Sequence, residues 1–281
     1  MHTTLISAEE LALHLTDQDW VVVDCRHDLM DLDAGRAAYD IGHIAGAVFV
    51  NLETELSDPK HGGGIEFRGR HPLPSRTALV HALRTLGINN ETQVVAYDAH
   101  GGMFAARLWW LLRWLGHPQV AVLDGGLAAW QALGLPMNSI TPSPAMGNVA
   151  DGSPTVTTVS VADLVSNLDG GKLTVIDARA PDRFRGENET MDPVGGHIPG
   201  AKNRFFKDNL RADGRFRPAA ELKADFEALI ENPVNAVMQC GSGVTACHNL
   251  LAMEVAGLPG AALYPGSWSE WCANPERPVE R

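Results

Sequence analysis

Leu173-Thr174-Val175-Ile176-Asp177-Ala178-Arg179 repeats an earlier stretch, Trp20-Val21-Val22-Val23-Asp24-Cys25-Arg26. Each is a short β-rich run that ends in Asp-x-Arg. Working outward from the pair, three more landmarks recur in the same order. Gly42-His43-Ile44-Ala45-Gly46-Ala47 matches Gly196-His197-Ile198-Pro199-Gly200-Ala201, and Val94-Val95-Ala96-Tyr97-Asp98 matches Ala236-Val237-Met238-Gln239-Cys240. Leu123-Asp124-Gly125-Gly126 leads to Trp130 as Leu263-Tyr264-Pro265-Gly266 leads to Trp268 and Trp271. The offset of about 140–155 residues is far too long for a solenoid and reads as a duplicated domain.

The seam falls in a Pro/Ser/Gly-rich stretch with little apolar periodicity, Ser139-Ile140-Thr141-Pro142-Ser143-Pro144 through Asp151-Gly152-Ser153-Pro154. The expected division is therefore a first domain over 1-138, a linker over 139-157 and a second domain over 158-281. Within each half, short apolar runs alternate with helical patterns such as Ala105 to Leu115 and Thr245 to Ala256. That alternation predicts an α/β fold in which each half is a mainly parallel sheet flanked by helices. Ligands of such sheets sit just beyond the carboxyl ends of the strands, where Asp98 and Cys240 stand in their respective halves.

Composition narrows the function. The chain has 281 residues, 45% hydrophobic and 20% charged, as a globular protein does. A formal net charge of -12 disfavours nucleic-acid and membrane-surface roles, since both partners are anionic. No run approaches the ~18–20 apolar residues that span a bilayer. The N-terminus lacks a basic segment followed by an apolar one, so no secretory signal is read; Ser7 with Glu9 and Glu10 reads instead as a helix cap. Four cysteines without a CxxC pair indicate reduced thiols and a cytoplasmic location.

Equivalent positions carry different chemistry, Asp98 in the first half and Cys240 in the second. Cys240-Gly241-Ser242-Gly243-Val244-Thr245-Ala246-Cys247 follows a β-run and opens a helix. Its two glycines let the backbone fold back and turn successive N–H groups inward, and the helix adds the positive end of its dipole. Both effects favour a thiolate, so Cys240 is expected to be an exposed nucleophile rather than a buried structural cysteine.

The tandem halves, the paired Gly-His-Ile-x-Gly-Ala segments and the Cys-Gly-Ser-Gly-Val-Thr-Ala loop resemble the two-domain rhodanese family, and within it the 3-mercaptopyruvate sulfurtransferase branch. The resemblance covers residues 5 to 278. It implies an inactive first copy, in agreement with Asp98, an active second copy, and a site between them. It further implies transfer of sulfane sulfur through a Cys240 persulfide to a thiol or cyanide, with no cofactor and no metal. A thioredoxin-like protein is an acceptor of the implied kind.

Thiosulfate-using members of the family place cations directly after the nucleophile, whereas Gly241 and Ser242 are uncharged; this favours mercaptopyruvate as donor. The resemblance also implies that Arg183 holds the substrate carboxylate, a task suited to a planar guanidinium. A second substrate Arg, common in that branch before the second Gly-His-Ile-Pro-Gly, is missing from Asn188-Glu189-Thr190-Met191-Asp192-Pro193-Val194. Either Arg185 supplies that contact or the donor preference is broader, with thiosulfate the alternative. Ser242 is expected to relay a proton, with His43 and Asp33 behind it, and Gly241, Gly243, Val244 and Thr245 to offer N–H groups to the persulfide. A structural role for His43 stays open, because its repeat partner His197 has no evident chemistry.

Other readings are weaker. A cysteine phosphatase needs an Arg six positions after the Cys, and position 246 is Ala. A papain-like hydrolase fails on chain order and local signature. A non-catalytic sulfur-relay module is opposed by the intact loop. Gly62-Gly63-Gly64 has no following Gly-Lys-Ser/Thr and reads as a loop. Trp109, Trp110 and Trp114 read as packing, the scattered histidines lack metal spacing, and Cys247 is expected to be buried. Cys25 and Cys272 remain as conceivable redox switches.

Overall fold

The computed structural model describes residues 1–59 and 66–281, so the Gly62-Gly63-Gly64 run lies outside the described residues. The chain divides into two compact units. Unit 1 holds Met1–Asp58, Pro74–Thr155 and Arg211–Phe216; unit 2 holds Pro59–Leu73, Val156–Leu210 and Arg217–Arg281. The division is thus not two unbroken halves. Residues 59–73 belong to unit 2 and residues 211–216 to unit 1.

Unit 1 runs β1 (Leu5–Ile6), α1 (Ala8–Ala12), β2 (Trp20–Asp24), α2 (Ala34–Ile41), β3 (His43–Ile44), β4 (Val48–Phe49), α3 (Arg76–Thr85), β5 (Gln93–Tyr97), α4 (Ala105–Trp114), β6 (Val120–Leu123), α5 (Gly126–Ala132) and β7 (Met137–Asn138). Its main sheet has the order β1-β6-β5-β2-β4, parallel throughout. Strands β3 and β7 form a small antiparallel pair. As read from the sequence, the Ser7 hydroxyl caps α1 by accepting the Glu10 N–H.

Unit 2 runs β8 (Thr157–Thr158), α6 (Val161–Asn167), β9 (Thr174–Asp177), α7 (Pro181–Phe184), β10 (Lys202–Asn203), α8 (Ala219–Glu227), β11 (Ala236–Gln239), α9 (Thr245–Val255), β12 (Ala262–Leu263) and α10 (Ser267–Ala273). Its sheet order is β10-β9-β11-β12-β8, again parallel. Strand for strand this is the order of unit 1, with β4, β2, β5, β6 and β1 answering β10, β9, β11, β12 and β8.

The central strands show why the Val-rich runs settle here. Every residue of β5 and of β11 is buried, as expected for parallel strands covered on both faces. Helix α4 buries Ala105 through Leu112, including Trp109 and Trp110, and α9 buries Ala246 through Met253. Unit 1 packs Ile6, Val22, Ile44, Val95, Leu123 and Trp130 in one core; unit 2 packs Val175, Ile198, Val237, Tyr264, Trp268 and Trp271. No described helix is long and apolar enough to cross a membrane.

The repeated Asp-x-Arg motif proves to be a clasp. The Arg26 guanidinium donates to both carboxylate oxygens of Asp24 and, through Nη2, to the carbonyl of Gly42 at 2.7 Å. In unit 2, Arg179 holds Asp177 and the carbonyl of Gly196 at 2.7 Å in the same manner. Each arginine therefore ties a strand end to the start of the Gly-His-Ile segment. Such bidentate, charge-assisted bonds carry geometric as well as energetic weight.

Between Asn138 and Thr157 there is no helix or strand, but the segment is fixed. The N–H groups of Gly147, Val149 and Gly152 donate to the carbonyls of Arg84, Ile88 and Leu115. Arg76 adds an ion pair to Asp151. The Pro/Ser/Gly composition here encodes an irregular path pinned to unit 1.

Candidate active site

Strand β11 delivers Cys240 to its carboxyl end, and α9 begins five residues later. The loop between them is gripped by the start of α10. Trp268 and Ser269 donate their N–H groups to the carbonyls of Cys240 and Gly241 at 2.9 and 3.0 Å. Gly243 has φ of 80°, and a Cβ there would lie 2.3 Å from the Pro265 carbonyl oxygen, so only glycine fits. This turn aims the Gly243 N–H at the Cys240 sulfur, 3.2 Å away. Val244, with φ of -87°, leads into α9, whose first residue Thr245 is half-buried.

Cys240 is 2% exposed, where the sequence led us to expect a solvent-facing thiol. The loop closes around its own sulfur, and that enclosure is what brings a main-chain donor onto Sγ. Cys247 is buried as expected, with its thiol 3.3 Å from the Gly243 carbonyl.

Unit 1 shows what such a loop holds. The Asp98 carboxylate accepts the N–H groups of His100, Gly102, Phe104 and Ala105 at 2.7, 3.0, 2.7 and 2.9 Å. Leu127 donates to the Asp98 carbonyl at 2.9 Å, as Trp268 does to that of Cys240. The loops share a left-handed glycine, Gly101 at 70° and Gly243 at 80°, and part at the next residue, where Gly102 has φ of 93°. A strand-end loop followed by a helix is here a seat for negative charge.

Two arginines stand over the Cys240 loop. A Cβ on Gly241 would lie 3.6 and 3.8 Å from Nη2 and Nη1 of Arg183, and 2.8 Å from Nη2 of Arg70. Arg183 was expected; Arg70 was not. It arrives on a stretch that is sewn to the start of α10: Gly69 packs against Gly266, and the Arg70 N–H donates to the Ser269 hydroxyl at 3.1 Å. Arg185, the other cation considered, is half-exposed and bonded through Nε and Nη2 to Glu187. Its place just past the end of the short α7, two residues beyond Arg183, turns it to solvent, which corrects the expectation that it supplies the second contact.

Both arginines are countered by carboxylates of the 187–194 segment. Glu189 takes Nε and Nη2 of Arg183 at 3.1 and 2.8 Å and also reaches Arg179. Asp192 is bonded to Nη1 of Arg70 and lies 3.7 Å from Nη2 of Arg183. Burial pushes the Glu189 carboxyl up, but Arg183 and the N–H groups of Met191 and Asp192 outweigh it, and the net shift is downward. For Asp192 burial wins over Arg70, and its carboxyl is raised.

Ser242 was expected to pair with His43. Its hydroxyl instead shares a hydrogen bond of 2.7 Å with Nδ1 of His71, both side chains being buried. The ring of His43 is committed within its own unit: Nδ1 to the Tyr39 carbonyl at 2.8 Å, Nε2 to that of Ile140 at 3.1 Å, and its face stacked on Tyr39. His197 repeats the pattern, with Nδ1 on the Phe184 carbonyl and its ring stacked on Phe184. The Gly-His-Ile histidines are thus built into the scaffold. Asp33 is exposed at the start of α2 with no cap bond, and with both ring nitrogens of His43 taken by carbonyls it does not orient that ring. Arg70 and His71 escaped sequence reading because they lie outside the four repeated landmarks; the available signal was Gly69-Arg70-His71, which is echoed by Gly214-Arg215-Phe216.

The rhodanese-like domain family matches this chain twice, over residues 7–133 and 160–274. The chain belongs to the rhodanese family. Among similar rhodanese proteins, one of Pseudomonas aeruginosa named "Probable 3-mercaptopyruvate sulfurtransferase" is 47% identical over 278 residues, 98% of this chain and 97% of the relative. Bovine thiosulfate sulfurtransferase is 35% identical over 244 residues, 84% of this chain and 79% of its own. The 3-mercaptopyruvate sulfurtransferase of Leishmania major superposes with a TM-score of 0.84 at 30% identity, covering 96% of this chain and 74% of that one. The rhodanese assignment accounts for the duplicated sheet and for the cysteine at the end of β11.

Proposed function

We propose that the protein is a sulfurtransferase that takes sulfane sulfur from 3-mercaptopyruvate onto Cys240 and passes it to a thiol or cyanide. The observation that carries this reading is the Cys240 loop, in which a main-chain donor is aimed at Sγ beneath two arginines. Its unit 1 counterpart seats a full carboxylate.

In the first step the Cys240 thiolate attacks the donor sulfur. The C–S bond breaks, its electron pair leaves with pyruvate as the enolate, and a persulfide forms on Cys240. The proton on the donor sulfur passes to the enolate carbon, and Ser242 with His71 provides a path for it. Arg183 steadies the donor carboxylate, and the loop N–H groups from Gly241 to Thr245 hold the anionic persulfide. In the second step the acceptor attacks the outer sulfur and Cys240 is restored. A thioredoxin-like protein suits the acceptor role. No disulfide joins the four cysteines, which fits a reducing, cytoplasmic setting.

The uncharged Gly241 and Ser242 favour mercaptopyruvate over thiosulfate as donor, and the Pseudomonas relative carries the same name of activity. The test is direct. Incubation with mercaptopyruvate and removal of the excess should leave an adduct the mass of one sulfur atom, absent in Cys240→Ser. No adduct on the wild-type protein with either donor removes the reading.

A further inference from the structure

Four charged side chains lie together at the Cys240 loop: Arg70, Arg183, Glu189 and Asp192. Each arginine shows a divided guanidinium. Arg183 gives its Nε and Nη2 edge to Glu189 and stands over Gly241, where Nη2 and the outer Nη1 lie 3.6 and 3.8 Å from the Cβ position. Arg70 gives Nη1 to Asp192 and brings Nη2 to 2.8 Å from the same point. Two nitrogens from separate guanidinium groups therefore converge above the residue after the nucleophile. The side chains of Glu189 and Asp192 are each 3% exposed. Oδ2 of Asp192 has no hydrogen-bond partner among the described residues.

We propose that Arg70 is the second anion-gripping cation of the site, and that Asp192, with Glu189, makes the site select a singly charged donor over a doubly charged one. The proposal rests on the reading of Cys240 as the sulfur carrier and adds to it the basis of donor choice.

The argument is one of charge count in a sheltered place. Two arginines and two buried carboxylates sum to zero, and the sum stays zero when Arg179, which Glu189 also reaches, is counted with its partner Asp177. An α-keto acid brings one negative charge to this neutral group, and its carboxylate spans the two converging nitrogens with one oxygen each. Thiosulfate brings two charges and meets Asp192 directly behind Arg70. Like charges brought together away from water repel, so the second charge is selected against. Position 241 itself contributes: a side chain there would collide with Arg70, so glycine is required for the pair of arginines to close over the loop.

The test compares kcat/KM for mercaptopyruvate and thiosulfate in the wild type, Asp192→Asn, Asp192→Glu and Arg70→Gln. Asp192→Asn keeps the volume and removes the charge, and should shift the ratio about tenfold toward thiosulfate. Asp192→Glu should keep the wild-type ratio, and Arg70→Gln should lose activity with both donors. A ratio within about twofold of wild type in Asp192→Asn, or full activity in Arg70→Gln, overturns the proposal. Should Asp192→Asn not fold, competitive inhibition of the wild type serves: pyruvate, a monoanion, should compete at lower concentration than sulfate, a non-reacting dianion. The reverse order overturns the proposal. Persulfide formation on the wild type with either donor, measured by mass, separates the two failures. Without it the sulfur-carrier reading falls and this inference with it; with it and an unchanged ratio, only the inference falls.

Discussion

The Ser267 hydroxyl oxygen accepts the backbone N–H of Cys240 at 3.1 Å while donating to the Tyr264 carbonyl at 3.0 Å. Ser267 holds this position with φ of 54°, the one left-handed non-glycine among the described residues. In unit 1 the residue before Leu127, which bonds Asp98 as Trp268 bonds Cys240, is Gly126 at 55°, so the structural match runs one residue off the pairing of Gly126 with Gly266. A serine in a glycine's conformation is strained, and the hydrogen bond it makes offsets the strain. Ser267→Ala keeps the strain and leaves the Cys240 N–H buried without an acceptor. It should lose about 1–3 kcal/mol of stability, read by urea unfolding. Ser267→Gly relieves the strain and should lose less; equal losses would show that the hydroxyl contributes nothing.

Ser242 and His71 should act as one device in proton transfer. Ser242→Ala and His71→Gln are each expected to lower kcat with mercaptopyruvate roughly 10²-fold, and the double variant should be little worse than either. Multiplying losses in the double variant would mean that the two act separately. Substitution of His43 should instead lower Tm through loss of its bonds to Tyr39 and Ile140.

Asp98 neutralises four main-chain donors, so its removal should be felt in folding. Asp98→Ala leaves them buried without a partner and should cost about 3 kcal/mol or more. That corresponds to a fall of roughly 5–10 °C in the melting of unit 1. Asp98→Asn keeps one acceptor oxygen and should fall between. A melting curve unchanged by Asp98→Ala would show that water replaces the carboxylate.

The thiols should separate by pH. Burial pushes Cys272 up to about 11, with the neighbouring Asp192 adding to it, and pushes Cys25 well above its ordinary value. At pH 8 the thiolate fraction of Cys272 is then on the order of 10⁻³. In native protein treated with iodoacetamide, Cys272 should stay unmodified near neutral pH and begin to react only as the pH approaches 11. Fast modification of Cys25 or Cys272 at pH 8 would restore them as redox switches.

Much of the fold could be read from four repeated landmarks because each has a local mechanical reason. Asp-x-Arg is a clasp, Gly-His-Ile a stacked turn, and the two strand ends open into loops that hold charge. Those interactions span few residues, so their sequence marks survive. The site was read in part: Cys240 and its loop follow from strand, glycine and helix order, and Arg183 came from the family resemblance. Arg70 and His71 did not, since a segment near residue 70 reaches Ser242 only through tertiary placement, and neither periodicity nor spacing encodes a sequence separation of 171 residues. Arg185 was misplaced for the opposite reason. Two residues along a helix rotate a side chain to the other face, and Arg183 and Arg185 look interchangeable only in one dimension. The exposure of Cys240 was also misjudged, because a loop tight enough to offer its N–H to sulfur is tight enough to cover it.

The arginine clasps of Asp24 and Asp177 anchor each sheet to its turn without touching the residue at the tip of the central strand. Architecture and tip chemistry are therefore separable in this molecule: the tip is a socket, and the chassis around it accepts either a carboxylate, Asp98, or a thiol, Cys240. The same independence makes the tip position the natural place to graft another anionic warhead, since the clasp beneath it would not need to be redesigned.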